Sequence, residues 1–273
     1  YDGVNEQILV DLPINGATRK VLLRADRNGY LYVIDRTTGE VLSADPFVHV
    51  TSTKGIDLKT GRPIENESLK PTLGTVVRDV CPAAPGGKDW QPSAYSVQTG
   101  FLYIPANNLC MDFESVEANY IAGTPFVGAN VRMYAGPGGN RGEFIAWDPV
   151  GRKKAWSIAE TFPVWSGVVV TGGGVAFYGT MDGWFKAVNA RTGEPLWRFK
   201  TGSGIVGQPI TYRGPDGKQY VAVLSGVGGW SGAIVAGDLD TRDATAALGF
   251  VNAMTDLPKA STKGGTLYIF GLP

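Results

Sequence analysis

The sequence has little of the usual apparatus of hydrolytic, zinc or nucleic-acid chemistry. Its 273 residues hold one histidine, His49, in Phe47-Val-His-Val50 with no partner motif. That excludes a Ser-His-Asp triad and a histidine-based zinc centre, and leaves His49 a structural or surface role. Cysteine occurs twice, at Cys81 and Cys110, neither in a Cys-x-x-Cys. A lone pair cannot complete a four-ligand zinc site. Two readings of the pair stay open at this point: buried free thiols in a cytosolic protein, or one disulfide in an oxidising compartment. Charge of one sign is also missing. The 25 Lys+Arg balance 25 Asp+Glu, which excludes a nucleic-acid binder that works through a basic face. No apolar run approaches the roughly 20 residues that cross a bilayer, so no membrane span is expected. No basic n-region followed by an apolar h-region opens the chain at Tyr1, so no signal peptide is expected in it. Helical periodicity is nearly absent, surfacing weakly at Thr241 to Leu248.

What is abundant is glycine, 38 residues, with 7 Trp and 11 Tyr. Glycine at about twice its ordinary share implies many tight turns between short segments. With hydrophobic residues at 43% and charged residues at 18%, the chain is not disordered. Its length suits one β-rich domain or two ordinary ones. Short β-branched and aromatic runs bounded by Gly, Asp or Asn read as strands: Lys20–Leu23, Tyr30–Ile34, Phe101–Ile104, Val175–Tyr178, Trp184–Val188, Tyr220–Leu224 and Thr266–Phe270. The expected class is all-β, as a propeller, barrel or sandwich.

A repeat narrows the choice. Ala187 to Trp197 reads as strand, tight turn at Thr192-Gly193, returning strand and terminal Trp, and Ala146 to Trp156 has the same frame. The terminal tryptophans lie about 40 residues apart, one four-stranded propeller blade. A degenerate copy without the Trp runs from Val33 to Ser43. A blade-terminal Trp can stack on the next blade's turn and bury a large flat area. The stretches Ser43–Asp79 and Asp112–Gly142 read as irregular. Three recognisable repeats are fewer than the four to eight blades of a ring, so residues 1–273 are expected to be the C-terminal part of a longer propeller. Such a part alone would expose strand edges.

These repeats, with Tyr1-Asp-Gly-Val-Asn-Glu6, Asp26-Arg-Asn-Gly29, Gly86-Gly-Lys-Asp-Trp90, Leu109-Cys-Met-Asp112, Pro163-Val-Trp-Ser-Gly167, Tyr178-Gly-Thr-Met-Asp-Gly183 and Gly226-Val-Gly-Gly-Trp-Ser-Gly232, resemble the pyrroloquinoline-quinone (PQQ) dependent alcohol dehydrogenases. The likeness is greatest to the large subunit of the lanthanide-dependent methanol dehydrogenase type and runs from Tyr1 to Pro273. It implies an eight-bladed propeller of which this chain is about the last four blades, the N-terminal half lying outside it. It implies oxidation of a primary alcohol, methanol foremost, by PQQ and a lanthanide ion, with Ca²⁺ as the alternative metal. A calcium-type PQQ dehydrogenase for other alcohols, or a cofactor-free propeller scaffold, remains as an alternative. The resemblance further implies a periplasmic location, a c-type cytochrome as electron acceptor and a Cys81–Cys110 disulfide; a homodimer is left open. The catalytic aspartate would stand immediately before Tyr1, so no catalytic residue is expected in this chain and the isolated chain is expected to be inactive.

By the same resemblance Asp2 matches an added metal ligand, Arg27 the residue that hydrogen-bonds the quinone oxygens, and Asp89 a cofactor-facing position that is Asn in calcium types. Trp165, Gly229 and Trp230 match residues along the quinone's edge. The residue types suit that work. A hard cation takes oxygen ligands, and a trivalent ion tolerates one more carboxylate than Ca²⁺. Arginine can donate two hydrogen bonds to a carbonyl pair and stabilise an oxyanion. An indole N–H can donate to a carbonyl. Each residue also has a plain reading: Asp2 as an Asx turn before Gly3, Arg27 in a surface ion pair with Asp26 or Asp35, Asp89 as a solvated turn carboxylate, Trp165 and Trp230 as core. Gly226 to Gly232 is no dinucleotide loop, because no βαβ pattern surrounds it. Its glycines suit close approach of backbone to a flat ligand.

Overall fold

Alternation of β-branched and aromatic residues with polar ones, cut by Gly, Asp and Asn, folds the chain into a series of antiparallel hairpins. The computed structural model describes residues 1–118, 122, 128–240 and 246–272. Strands β1 (Ile8–Ile14), β2 (Ala17–Ala25), β3 (Tyr30–Asp35) and β4 (Val41–Pro46) pair in chain order as a four-stranded sheet. A hairpin of β5 (Thr53–Asp57) and β6 (Arg62–Glu65) follows. Then come β7 (Val76–Val80), β8 (Ala94–Ser96), β9 (Phe101–Asn107), β10 (Leu109–Ser115), β11 (Ala129–Ala135), β12 (Gly142–Asp148) and β13 (Lys153–Glu160). The second four-stranded sheet is β8-β9-β12-β13, and β10 and β11 leave it to join β7 in a three-stranded sheet. Strands β14 (Val169–Val170), β15 (Val175–Gly179), β16 (Trp184–Asn189) and β17 (Pro195–Lys200) form the third four-stranded sheet. Last, β18 (Ile210–Arg213), β19 (Gln219–Ser225) and β20 (Thr266–Gly271) form a three-stranded sheet. Successive four-stranded meanders are propeller blades, as the repeat predicts.

All seven anticipated strands are strands. The two stretches read as irregular contain strands: most of β4, all of β5 and β6 and most of β7 in the first, and most of β10 together with β11 in the second. Their signal is weak because the strands are polar and open, β6 being exposed along its whole length. The helical signal at Thr241 to Leu248 falls largely outside the described residues, and Ala246–Gly249 is a 3₁₀ turn. Helices α1 (Gly229–Ala236), α2 (Phe250–Ala253) and α3 (Leu257–Ala260) lie between β19 and β20. They are too short to show a 3.6-residue period, and α1 is also interrupted by glycine.

The repeat is a turn with one hydrogen-bonding scheme. Asp35 Oδ1 accepts the amides of Thr37 and Thr38 at 2.8 and 3.2 Å. Asp148 Oδ1 does the same for Val150 and Gly151, and Asn189 Oδ1 for Arg191 and Thr192. Each hairpin carries a register shift at the equivalent place. Trp156 docks on the following blade, donating its indole N–H to Ala190 O at 3.1 Å. A Cβ at Gly193 (φ +76°) would stand 2.7 Å from Trp156 Cδ2, so only glycine admits the ring there. Trp197 makes no such indole bond among the described residues; it stays 41% exposed and leans edge-on against Phe270 at 5.0 Å. Between the second and third four-stranded sheets, Tyr103, Phe144 and Tyr178 are fully buried, with Phe144 and Tyr178 stacked at 4.0 Å.

The Thr37 hydroxyl and amide, with Arg19, hold the Asp35 carboxyl well below the usual carboxylate range. A folded-state pKa below the unfolded one contributes stability that is present above the unfolded pKa and lost as pH falls through the folded one. Asp35→Asn keeps the amide-accepting oxygen, as Asn189 does, and removes the ion pair. Its Tm is expected to lie below wild type at pH 7, with the gap closing as pH falls below about 4. Parallel melting curves from pH 7 to 3 check this; a constant gap would refute it.

Candidate functional site

The loops that precede β1, β3, β8 and β14, and the one that leaves β19, meet in one connected cluster. Arg27 stands in the turn between β2 and β3, where Asp26 Oδ1 accepts its amide at 2.7 Å. Its guanidinium donates through Nε and Nη2 to Ala84 O at 3.2 and 3.0 Å, and through Nη1 to the backbone oxygen of Asp2 at 3.0 Å. Arg27 Nη2 also lies 3.7 Å from Asp89 Oδ2. By count, one N–H on each terminal nitrogen is left without a close acceptor. Gly86 makes this possible: a Cβ there (φ +79°) would sit 2.2 Å from Arg27 Cγ.

Asp89 is enclosed rather than solvated. Burial pushes its carboxyl up, opposed by the charges of Arg27 and Lys88. Its Oδ1 is buried with no hydrogen-bond partner. An unmet buried acceptor costs about 1–3 kcal/mol, so this oxygen is poised for a donor from outside the chain. Beside it an aromatic series begins. Trp90 is 49% exposed and meets Trp165 edge-on at 4.8 Å. Trp165 stacks on Phe250 at 4.8 Å, and Phe250 meets Trp230 at 6.0 Å. Trp165 is buried and its indole N–H is committed to Asn107 Oδ1 at 3.1 Å. Trp230 stays 39% exposed at the start of α1. Gly229 opens that helix with φ +56° and no protein atom within 4 Å of a notional Cβ. The glycine-rich run thus becomes a helix start.

Asp2 is exposed and takes no partner through its carboxylate among the described residues. No group of three or more His, Cys, Asp or Glu side chains is placed to hold a metal among those residues. A hard cation needs six or more oxygens, so Asp2 can be only one ligand of several. Cys81 and Cys110 are joined in a buried disulfide that ties the entry of the 81–93 loop to β10. His49 is exposed. The sequence reading assigned no role to Trp90, Phe250, Glu6 or Lys88. Trp90 was legible, because an aromatic directly follows the motif's Asp89; Phe250 had no sequence signal.

Arg27 with two N–H groups lacking a close acceptor, the unmet carboxylate oxygen of Asp89 and an aromatic series exposed at its two ends, Trp90 and Trp230, lie together on a propeller frame. The propeller-domain model of the PQQ-dependent glucose, ethanol and alcohol dehydrogenases matches residues 139–221. The chain belongs to the PQQ-dependent alcohol dehydrogenase family. In particular, it is 54% identical to the lanthanide-dependent methanol dehydrogenase of Methylacidiphilum fumariolicum (strain SolV), over all of this chain and 45% of that protein. It is 38% identical to methanol dehydrogenase [cytochrome c] subunit 1 of Paracoccus denitrificans, over all of this chain and 44% of that protein. The solved structure of a europium-containing methanol dehydrogenase superposes with TM-score 0.95 at 54% identity, covering all of this chain and 48% of that one. The chain spans about half the length of the curated relatives it matches.

Proposed function

We propose that this chain forms part of the quinone site of a PQQ-dependent enzyme that oxidises a primary alcohol, methanol foremost, to the aldehyde. A lanthanide ion serves as the metal, with Ca²⁺ the alternative. Residues 1–273 are taken as a partial propeller domain, about four blades. The observation that carries this reading is the enclosed, unpartnered Asp89 Oδ1 beside Arg27 and the exposed edge of the Trp series. The likeness to lanthanide and europium methanol dehydrogenases supports it.

PQQ, when bound, supplies an electrophilic quinone carbonyl that accepts hydride, polarised by a hard cation. Arg27 would hold it through the two N–H groups left on its terminal nitrogens. Asp89 would accept a donor hydrogen on Oδ1. Trp165, through its ring, and Gly229 with Trp230 would line the ligand's edge and keep water from it. Asp2 would add one carboxylate to the metal. A c-type cytochrome in the periplasm is the proposed electron acceptor, supported by the name of the Paracoccus relative.

Dye-linked alcohol oxidation by the full-length protein with PQQ, comparing Ca²⁺, La³⁺ and no metal, tests the reading. Methanol-dependent activity with La³⁺ alone is the expected result. Equal activity with Ca²⁺ would overturn the lanthanide assignment. No activity with any metal, and no quinone absorbance on the purified protein, would overturn the enzyme.

A further inference from the structure

Behind the site lies a buried charge that the proposed chemistry does not use. The Lys88 side chain is 0% exposed, yet it carries an ammonium group. Its Nζ donates to Glu6 Oε2 at 2.5 Å and to Asp89 O at 3.3 Å. The other oxygen of Glu6 accepts the Ser93 amide at 2.8 Å. Asn5, next to Glu6 and 6% exposed, donates to Asp89 O at 3.1 Å and to Lys88 O at 3.4 Å. All but the Lys88–Asp89 bond join two segments. One is the lead into β1, whose second residue is Asp2; the other is the loop that carries Asp89 and Trp90.

With Lys88 fully buried and the Glu6 side chain 29% exposed, the pair is a poor source of stability. Desolvating both charges offsets most of their attraction, and an apolar pair of similar volume is often as stable or more so. What such a pair does supply is direction, because its hydrogen bonds hold at one register only. We propose that Glu6 and Lys88 are positioning residues that set the placement of Asp2 relative to Asp89. They thereby couple the carboxylate offered to the metal to the carboxylate offered to the quinone. This rests on the functional reading above, and makes metal and cofactor binding depend on one pair that touches neither.

The test uses the full-length protein and compares wild type, Lys88→Met/Glu6→Gln and, as a control remote from the site, Lys186→Met/Glu160→Gln. The control removes a similar pair, Lys186 Nζ to Glu160 Oε1 at 2.7 Å with Glu160 7% exposed. PQQ affinity is read by quenching of tryptophan fluorescence, Eu³⁺ affinity by europium luminescence, and Tm by circular dichroism without either ligand. The first double variant is expected to keep its Tm and lose about 10–100-fold in both affinities, the usual cost of removing a residue that orients a ligand from behind. The control is expected to bind both as wild type does. Glu6→Gln alone, which keeps the side-chain shape and the Ser93 bond, is expected to weaken both in the same sense. Wild-type affinities in Glu6→Gln or in the Lys88/Glu6 double variant would overturn the proposal. So would a double variant that does not fold, since the pair would then be a stability element. If wild type itself binds neither PQQ nor Eu³⁺, the functional reading falls and this proposal with it.

Discussion

In the full-length protein, Asp2→Ala is expected to abolish La³⁺-supported alcohol oxidation while leaving Tm unchanged. The side chain is exposed and makes no bond among the described residues; Asp2 is held at its backbone oxygen, by Arg27. Removing the carboxylate therefore changes the charge offered to the metal and little else. A trivalent ion loses more by that than a divalent one, because ligand charge is set against ion charge. The expected signature is activity lost with La³⁺, with Ca²⁺ binding retained and the melting curve of wild type. Unchanged La³⁺ activity would remove Asp2 from the metal site. A lowered Tm would show instead that the segment's packing, and not its charge, had been disturbed.

Arg27→Ala is expected to cost about 2–4 kcal/mol of transition-state stabilisation, a fall of about 30- to 1,000-fold in kcat. Two losses combine. The donors left free on the guanidinium disappear, and so do the bonds by which Arg27 holds Asp2 and the loop at Ala84. Arg27→Lys is expected to recover little, since one ammonium cannot hold Ala84 O and Asp2 O and still present two parallel N–H groups. Steady-state kcat and KM with saturating PQQ check this; a wild-type kcat in Arg27→Ala would refute the role. Because Arg27 fixes the backbone of Asp2, the two substitutions should not be additive.

How far the site could be read from the sequence differs by residue. Arg27 and Asp89 stand in loops and Trp230 at a helix start, so residues close to them in the chain set where each one sits. Trp165 shows the limit. The resemblance matches it to the quinone's edge, but only packing reveals that its N–H is committed to Asn107 and that its ring is braced by Phe250, 85 residues further along. Lys88 and Glu6 are 82 positions apart and carry no pattern that pairs them.

Local periodicity and turn chemistry determined the seven anticipated strands, the hairpin turn at Asp35, Asp148 and Asn189, and the blade-terminal Trp. Each depends on residues within a few positions of one another. Long-range packing decided which strands leave the blade to form the β7-β10-β11 sheet. It also paired the two cysteines and joined Asp2, Arg27 and Asp89 to the Trp90–Trp165–Phe250–Trp230 series. Those contacts join loops that are distant in the chain, and a sequence records distant neighbours only where burial has forced their chemistry to match.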